Sequence, residues 1–170
     1  IRVAQITDCH LSAAPDTPYR GQDPLKNLQT LLDRVVGREP DLLLVTGDLS
    51  EDGSAASYAV LKNLFTQTGV PMLALPGNHD DPALLAEHFP GSPVDELQVT
   101  DHGAWQIIRL DSCLPGEPHG RLDNETLVQL ESTLKQNPGR PRLVALHHQP
   151  LLNGSLWIDK YRLMNAEPFL

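Results

Sequence analysis

The sequence is poor in cysteine and in basic residues and has no long apolar run, and each absence excludes a class of protein. Two cysteines in 170 residues are too few for a disulfide scaffold. Thirteen Lys and Arg residues against 22 Asp and Glu give a net charge of −9, which leaves no basic patch for nucleic acid. No apolar run reaches the roughly 18 residues of a membrane span, and the first residues lack the continuous apolar stretch of a secretory signal. We therefore expect a cytoplasmic globular protein with neither a membrane nor a nucleic-acid partner.

The two ends of the sequence predict that the chain is truncated. Ile1 already lies in an apolar run, and residues 165–170 contain neither a closing strand nor a clear helix stop. A truncated sheet exposes an edge strand, which can pair with a second copy of the chain. A homodimer is therefore a further expectation.

Short apolar runs alternate with helical patterns along the chain. Buried strands are predicted at residues 3–7, 42–46, 70–75, 104–110 and 143–146. Apolar residues that recur every three or four positions predict helices that begin near Asp23, Ser54 and Asp123. Two stretches rich in turn residues are predicted to be irregular, at 90–101 and 115–120. The alternation predicts a single α/β domain over residues 1–170 with a largely parallel sheet.

Side chains that bind metals collect after four of the predicted strands. They are Asp8 and His10, Asp48, Asn78 with His79 and Asp80, and His147 with His148. Because open α/β sheets place ligands at the carboxyl ends of their strands, we expect these side chains to converge. If the backbone stays extended after the first strand, Asp8 and His10 point to one face and Cys9 points to the other. Asp8 and His10 can then hold one ion together.

The donor set indicates the kind of metal but not its identity. Carboxylate, imidazole and amide groups without thiolate suit Mn, Fe, Co, Ni or Zn, as divalent or trivalent ions. The two oxygens of Asp48 can bridge two ions about 3.5–4 Å apart, and such ions attract phosphate to an acidic protein. Gly47 and Gly77 precede candidate ligands, where the lack of a Cβ leaves room for the ligands to converge.

Taken together, the motifs resemble those of the calcineurin-like metallophosphoesterase superfamily, and within it the class III bacterial 3′,5′-cyclic AMP phosphodiesterases. Four motifs stand in the order and approximate spacing of that family, and they are Asp8-x-His10, Gly47-Asp48, Gly77-Asn78-His79-Asp80 and His147-His148. Three wider stretches add to the similarity, and they are Gln5-Ile6-Thr7-Asp8, Leu110-Asp111-Ser112 and Pro118-His119-Gly120. The resemblance implies a metallophosphoesterase-like sandwich of two sheets flanked by helices, truncated at its C-terminus.

The resemblance also implies which residues bind the two metal ions. Asp8 and His10 would hold the first ion, and Asp48 would bridge to the second. Asn78 and His147 would complete the second ion's ligands. The choice of His147 over His148 rests on the family pattern, since the spacing alone leaves both open.

Catalytic and substrate-binding roles follow from the same resemblance. His79 would contact the phosphate and protonate the leaving oxygen, and Asp80 would orient His79. Asn78 and His148 would lie on the substrate side. The reaction implied is hydrolysis of a small phosphodiester or cyclic nucleotide, with cyclic AMP first, by a metal-activated water at a dinuclear site.

One family motif is missing and leaves two alternatives open. No Gly-His-x-His motif follows His148, although the family uses it to supply one further His to each ion. Either the chain stops before that motif, or the protein is a metal-deficient interaction module of the same fold. A substrate other than cyclic AMP is a further alternative, whereas a dinucleotide-binding domain is excluded because no Gly-x-Gly-x-x-Gly follows the first strand.

Three aromatic residues outside these motifs receive weaker assignments. Trp105 and Trp157 are predicted to be packing residues, because nothing else in the sequence indicates a base-stacking platform. Tyr19 and its neighbours Arg20 and Gly21 precede the first helix in a region that resembles a substrate-facing loop of the family. A plain surface loop is the alternative reading of that segment.

Overall fold

The computed structural model describes residues 1–94, 97–136 and 138–170, and these contain two sheets of three strands each. In the first sheet, β1 (Val3–Ile6), β2 (Leu42–Thr46) and β3 (Met72–Leu75) are parallel and lie in the order β1-β2-β3. Every residue of β2 is buried, because the central strand of a covered parallel sheet has no solvent face. The predicted strands at 3–7, 42–46 and 70–75 are thereby confirmed to within two residues.

The second sheet combines antiparallel and parallel pairing. Here β4 (Leu97–His102) runs antiparallel to β5 (Trp105–Leu110), and β5 runs parallel to β6 (Arg142–Ala145). The prediction that 90–101 is irregular is wrong where β4 lies, and residues 95 and 96 of that range are outside the described residues. A two-residue turn at Gly103, with φ of +57°, joins β4 to β5 as a hairpin.

Within the described ranges, four α-helices connect the strands, and the three predicted ones begin where their capping residues predict. The helices are α1 (Pro24–Val36), α2 (Ala55–Gln67), α3 (Pro82–His88) and α4 (Asn124–Lys135). Side-chain oxygens of Asp23, Ser54 and Asp123 accept hydrogen bonds from backbone N–H groups in the first turns of α1, α2 and α4. A short 3₁₀ helix (Ile158–Tyr161) lies near the end of the chain.

The apolar core has three parts that together define a sandwich. One face of the first sheet packs against α1 and α2, with Leu43 and Val45 of β2 in that cluster. The opposite face, through Leu42 and Leu44, meets Ile107 of the second sheet. A third cluster joins the second sheet to α4. The predicted two-sheet sandwich flanked by helices is confirmed. The strands that the alternation predicted to form one largely parallel sheet belong to two sheets instead.

No helix within the described ranges is long and apolar enough to cross a membrane.

Candidate metal centre

The carboxyl ends of β1, β2, β3 and β6 meet at one cleft of about 680 Å³. We call the polar residues at its base the floor, and these are Asp8, His10, Asp48, Asn78, His79 and His147. All five predicted metal-ligating residues and the predicted catalytic His79 therefore line a single cavity. The predicted convergence of strand ends accounts for this placement.

The backbone after β1 has a different conformation from the extended one that was expected. Asp8 and His10 have φ values of +57° and +48°, so the backbone there is left-handed rather than extended. The N–H of Asp8 donates to the carbonyl of Gly47 at 3.1 Å, and that of His10 donates to the carbonyl of Asp48 at 3.0 Å. These bonds hold the segment in this conformation. Asp8 and His10 still face one cleft while Cys9 packs against the core, but alternation along a strand is not the cause.

Asp48 lies at the centre of the floor and is 4% exposed. One carboxylate oxygen is 3.7 Å from Nε2 of His10 and 3.6 Å from Nε2 of His147. The other oxygen accepts the backbone N–H of His79 at 3.0 Å. Burial raises the pKa of Asp48, but the neighbouring His147 and His79 together outweigh it and lower the pKa overall. The carboxylate is therefore ionised and placed between two imidazoles.

Two groups of donor atoms share this carboxylate. Asp48 groups with Asp8 and His147, and it groups again with His10 and His79, with the donor atoms of each group within 4.8 Å of one another. Asp8 also lies 3.7 Å from Nε2 of His10. The geometry thus agrees with a bridging position for Asp48, whereas the division of the other residues between two ions stays a prediction.

The imidazoles of His10 and His147 are oriented so that Nε2 can bind a metal ion. Nδ1 of His10 is 2.8 Å from a carboxylate oxygen of Glu51, and Nδ1 of His147 is 2.8 Å from the carbonyl oxygen of Thr46. Because these oxygens only accept hydrogen bonds, the Nδ1 atom of each ring carries a hydrogen. The Nε2 atom of each ring faces Asp48 and is the nitrogen that can bind a metal ion. Second-sphere acceptors of this kind orient metal-binding histidines. The residues present therefore fit the ions that the donor set predicts.

Electrostatic surroundings at these histidines also favour a cation. Burial lowers the pKa of His10 and of His147, but nearby carboxylates outweigh it in both cases. Asp48 is the main partner of His147 and contributes to raising its pKa to about 9. The same negative charge attracts a metal ion, which competes with the proton for Nε2.

Glu51 contacts the floor, and the sequence interpretation did not single it out. The oxygen that accepts from His10 also lies 3.2 Å from Nδ1 of His79, so one carboxylate contacts two floor histidines. The sequence shows two neighbouring acidic residues, Glu51 and Asp52, shortly after Asp48. Nothing in the sequence indicates which of the two faces the floor, because the turn that separates them is a tertiary feature.

The carboxylate of Asp80 contacts the loops around the floor, and its predicted role in orienting His79 stays a prediction. Its carboxylate accepts backbone N–H groups of Leu49, Ser50 and Gly77 at 2.9–3.1 Å. It also accepts the hydroxyl of Tyr58 at 2.9 Å. Asp80 therefore joins the loops after β2 and β3 beneath the floor, whereas the carboxylate that contacts the ring of His79 is that of Glu51.

His148 lines the cleft but differs from its neighbour. The residue is 2% exposed, and its Nδ1 lies 2.8 Å from the hydroxyl of Ser112. Burial and the charge of His147 lower the pKa of His148 to about 4, so the ring is neutral near pH 7. The prediction that His147, rather than His148, lies beside Asp48 agrees with the geometry. A substrate-side role for His148 stays a prediction.

The two glycines that precede floor residues make room for them, as predicted. A Cβ at Gly47 would collide with the ring of His147, and φ there is +94°. A Cβ at Gly77 would collide with the carboxylate of Asp48. Close approach of the loops therefore depends on both glycines.

Three aromatic rings and one guanidinium line the cleft outside the floor. We call these residues the rim, and they are Tyr19, Arg20, Trp157 and Tyr161. Tyr19 stacks on the ring of His10 with centroids 4.1 Å apart. The guanidinium of Arg20 lies 5.1 Å from the Tyr19 ring and 5.4 Å from the Trp157 ring. Trp157 was predicted to be a packing residue, but it is 51% exposed and lines the cleft.

A two-sheet sandwich with carboxylates and imidazoles at its strand ends is the arrangement of a metal-dependent phosphoesterase. The sequence profile of the calcineurin-like phosphoesterase family matches residues 1–168, so the chain belongs to this family. Members of the family that are dimetal phosphatases use divalent metal ions, and the clustered donors of the floor are consistent with such ions.

Curated relatives match nearly the whole chain. The 3′,5′-cyclic adenosine monophosphate phosphodiesterase CpdA of Vibrio vulnificus is 38% identical over 174 residues, which covers 99% of this chain and 63% of that protein. A probable cyclic nucleotide phosphodiesterase of Synechococcus is 39% identical and matches 100% of this chain and 66% of that protein. CpdA of Escherichia coli K12 is 37% identical over 98% of this chain and 62% of its own length. The chain thus spans less than two thirds of the length of these relatives.

Solved structures with low sequence identity share the fold. A dimetal phosphatase from Danio rerio superposes with a TM-score of 0.75 at 13% identity, over 98% of this chain and 75% of that one. A purple acid phosphatase from yellow lupin superposes with a TM-score of 0.61 at 16% identity, over 92% of this chain and 32% of that one. These likenesses support the same two-sheet architecture.

Proposed function

We propose that the protein is a metal-dependent phosphodiester hydrolase and that 3′,5′-cyclic AMP is its substrate. The observation that carries the proposal is the carboxylate of Asp48, which is shared by two groups of metal-binding atoms in one cleft. The names of the relatives from Vibrio and Escherichia support cyclic AMP as the substrate.

The floor would hold two ions with the ligands that the sequence predicts, Asp8, His10, Asp48, Asn78 and His147. Such ions supply Lewis acidity toward the phosphoryl oxygens and lower the pKa of water to about 7. The fixed tautomers of His10 and His147 keep their Nε2 atoms available for this purpose. Mn, Fe, Co, Ni and Zn all suit the donor set.

His79 acts on the substrate in this proposal. Glu51 contacts its Nδ1, and the side chain lines the cleft with about a third of its surface exposed. A proton held at Nε2 can then pass to the sugar oxygen as the phosphate ester bond breaks. Glu51 acts through the ring, as a positioning residue for both His79 and His10.

Asn78, in addition to its place among the metal ligands, and His148 bind the substrate without taking part in bond cleavage. The side-chain amide of Asn78 has N–H groups that can donate to a phosphate oxygen, and it lies beside His79. The neutral ring of His148 lines the same cleft. Both assignments follow the predicted substrate-binding set.

The test is hydrolysis of cyclic AMP by the full-length protein with added Mn²⁺, with bis(p-nitrophenyl) phosphate as a general phosphodiester. Turnover of both substrates is expected. Turnover of the general substrate alone would contradict cyclic AMP and favour another phosphodiester. Loss of both activities together with absence of bound metal would favour the metal-deficient interaction module.

Two expectations from the sequence stay predictions. The homodimer would be tested by the mass of the full-length protein in solution, and β1 and β3 are the two edge strands of the first described sheet. The cytoplasmic location would be tested by fractionation of the cells that produce the protein.

A further inference from the structure

The rim forms a continuous stack that begins on the floor. Tyr19 lies flat on His10, with 17° between the ring planes, and the guanidinium of Arg20 lies between Tyr19 and Trp157. Trp157 in turn meets Tyr161 edge to face, with centroids 5.7 Å apart. The stack therefore reaches from a metal-binding histidine to the outer wall of the cleft.

Arg20 is placed by its backbone and carries an unneutralised charge. Tyr19 and Gln22 exchange backbone hydrogen bonds of 3.0 and 2.9 Å, so Arg20 lies at the tip of a tight turn, with φ of +49°. Among the described residues that line the cleft, Arg20 is the sole Lys or Arg. No ion pair joins it to any residue that the structure describes.

Trp157 is exposed although its backbone is well fixed. The carboxylate of Asp159 accepts the N–H groups of Asn153 and Gly154 at 2.9 and 3.2 Å, which closes the turn before Trp157. The amide of Gln149 donates to the carbonyl of Ile158 at 3.2 Å, which ties the 3₁₀ helix to the segment that follows β6. A large indole that is held in place and open to solvent is suited to ligand contact rather than to packing.

We propose that Arg20 and Trp157 are specificity-determining residues that bind the aromatic base of a nucleotide substrate. The base would stack on the face of the indole that the guanidinium now covers, and the guanidinium would lie against the other face of the base. In this proposal the phosphate lies at the floor and the base of the same nucleotide lies at the rim, which Tyr19 joins to His10 of the floor. This inference rests on the proposed function and deepens it, since it explains selection of a nucleotide over other phosphodiesters.

The kinetic test compares cyclic AMP with the base-free analogue methyl ribofuranoside 3′,5′-cyclic phosphate, using the full-length protein. Trp157→Ala is expected to lower the ratio of kcat/KM for the two substrates by about 10-fold, mainly through KM for cyclic AMP. Arg20→Gln is expected to lower the ratio by about 3-fold. Trp157→Phe keeps a stacking ring and should restore most of the ratio. Trp105→Ala is the matched control, because Trp105 is also exposed but lies on β5 outside the cleft residues.

A binding test is independent of turnover. Addition of 5′-AMP should quench the fluorescence of Trp157, and the quenching should persist in Trp105→Phe but vanish in Trp157→Phe. Ribose 5-phosphate, which has no base, should leave the fluorescence unchanged.

The outcomes separate this inference from the proposed function. If the wild-type protein hydrolyses cyclic AMP but Trp157→Ala reduces kcat/KM equally for both substrates, base recognition at the rim is contradicted and hydrolysis stands. If the wild-type protein hydrolyses bis(p-nitrophenyl) phosphate but no cyclic nucleotide, the assignment of cyclic AMP and base recognition at the rim are both contradicted, whereas phosphodiester hydrolysis stands. Quenching that survives in Trp157→Phe would also overturn the inference.

Discussion

The floor and the rim of the cleft are built in opposite ways. Asp48 and His10 of the floor are 4% and 7% exposed, and backbone hydrogen bonds between loops fix their positions. Arg20 and Trp157 of the rim are exposed and meet through their side chains, from segments far apart in the sequence. Substitutions of the buried floor residues therefore disturb contacts between loops, whereas substitutions in the rim change contacts between side chains.

This difference separates chemistry from selectivity. A metal-binding floor needs donor atoms within a few tenths of an ångström of fixed positions, which buried and hydrogen-bonded loops supply. Substrate choice needs surfaces that vary without disturbing the donors, and exposed loop side chains supply these. We therefore expect floor substitutions to affect metal content or turnover on every phosphodiester, and rim substitutions to affect only the choice among them.

Among variants that keep both metal ions, the largest change in turnover is expected for His79→Ala. Loss of a positioned proton donor should reduce kcat by about 10²- to 10³-fold on cyclic AMP while both metal ions stay bound. Turnover assays with elemental analysis of the same samples give the answer. Because His79 groups with His10 and Asp48, loss of one ion in this variant would mean that His79 is a ligand instead.

Asp80→Asn should reduce stability rather than catalysis. Each oxygen of Asp80 accepts two hydrogen bonds, so an amide NH₂ in place of either oxygen would face donors and leave them unsatisfied. The free energy of unfolding should fall by about 2–3 kcal/mol in urea titrations. Asp81→Asn is the neighbouring control, since Asn caps α3 as well as Asp does. A normal stability with a large fall in kcat would return Asp80 to the catalytic role that the sequence predicted.

A smaller fall in activity than that of His79→Ala is expected for Glu51→Gln. The amide keeps the shape of the side chain but holds two histidines less firmly, so metal affinity or kcat should fall by about 10- to 100-fold. The matched control is Glu117→Gln, because Glu117 pairs with His119 at 3.6 Å in an exposed loop. Equal behaviour of the two variants would show that Glu51 has no positioning role.

Local features of the fold could be predicted from the sequence, and tertiary contacts could not. Capping residues placed the starts of α1, α2 and α4, because a helix start depends on a few neighbouring residues. The strand-end rule placed the floor residues in one cleft. In contrast, β4 was missed because its short run Leu97–His102 is recognisable as a strand mainly through its partner β5.

The parts of the site that the sequence did not reveal depend on geometry between distant residues. The left-handed backbone at Asp8 and His10 is imposed by pairing with the loop after β2. The position of Glu51 between two histidines and the contact of Arg20 with Trp157 both require the folded loops. No periodicity or motif encodes such contacts.

The most direct test of a dinuclear site centred on Asp48 is the metal content of the full-length protein with the substitution Asp48→Asn. The wild-type protein should contain two ions per chain, and the variant should lose both together, because one carboxylate is shared by the two groups of donor atoms. Asp81→Asn, which lies outside the floor, should keep both ions. Two tightly bound ions in Asp48→Asn would contradict the central position of this residue and with it the dinuclear site.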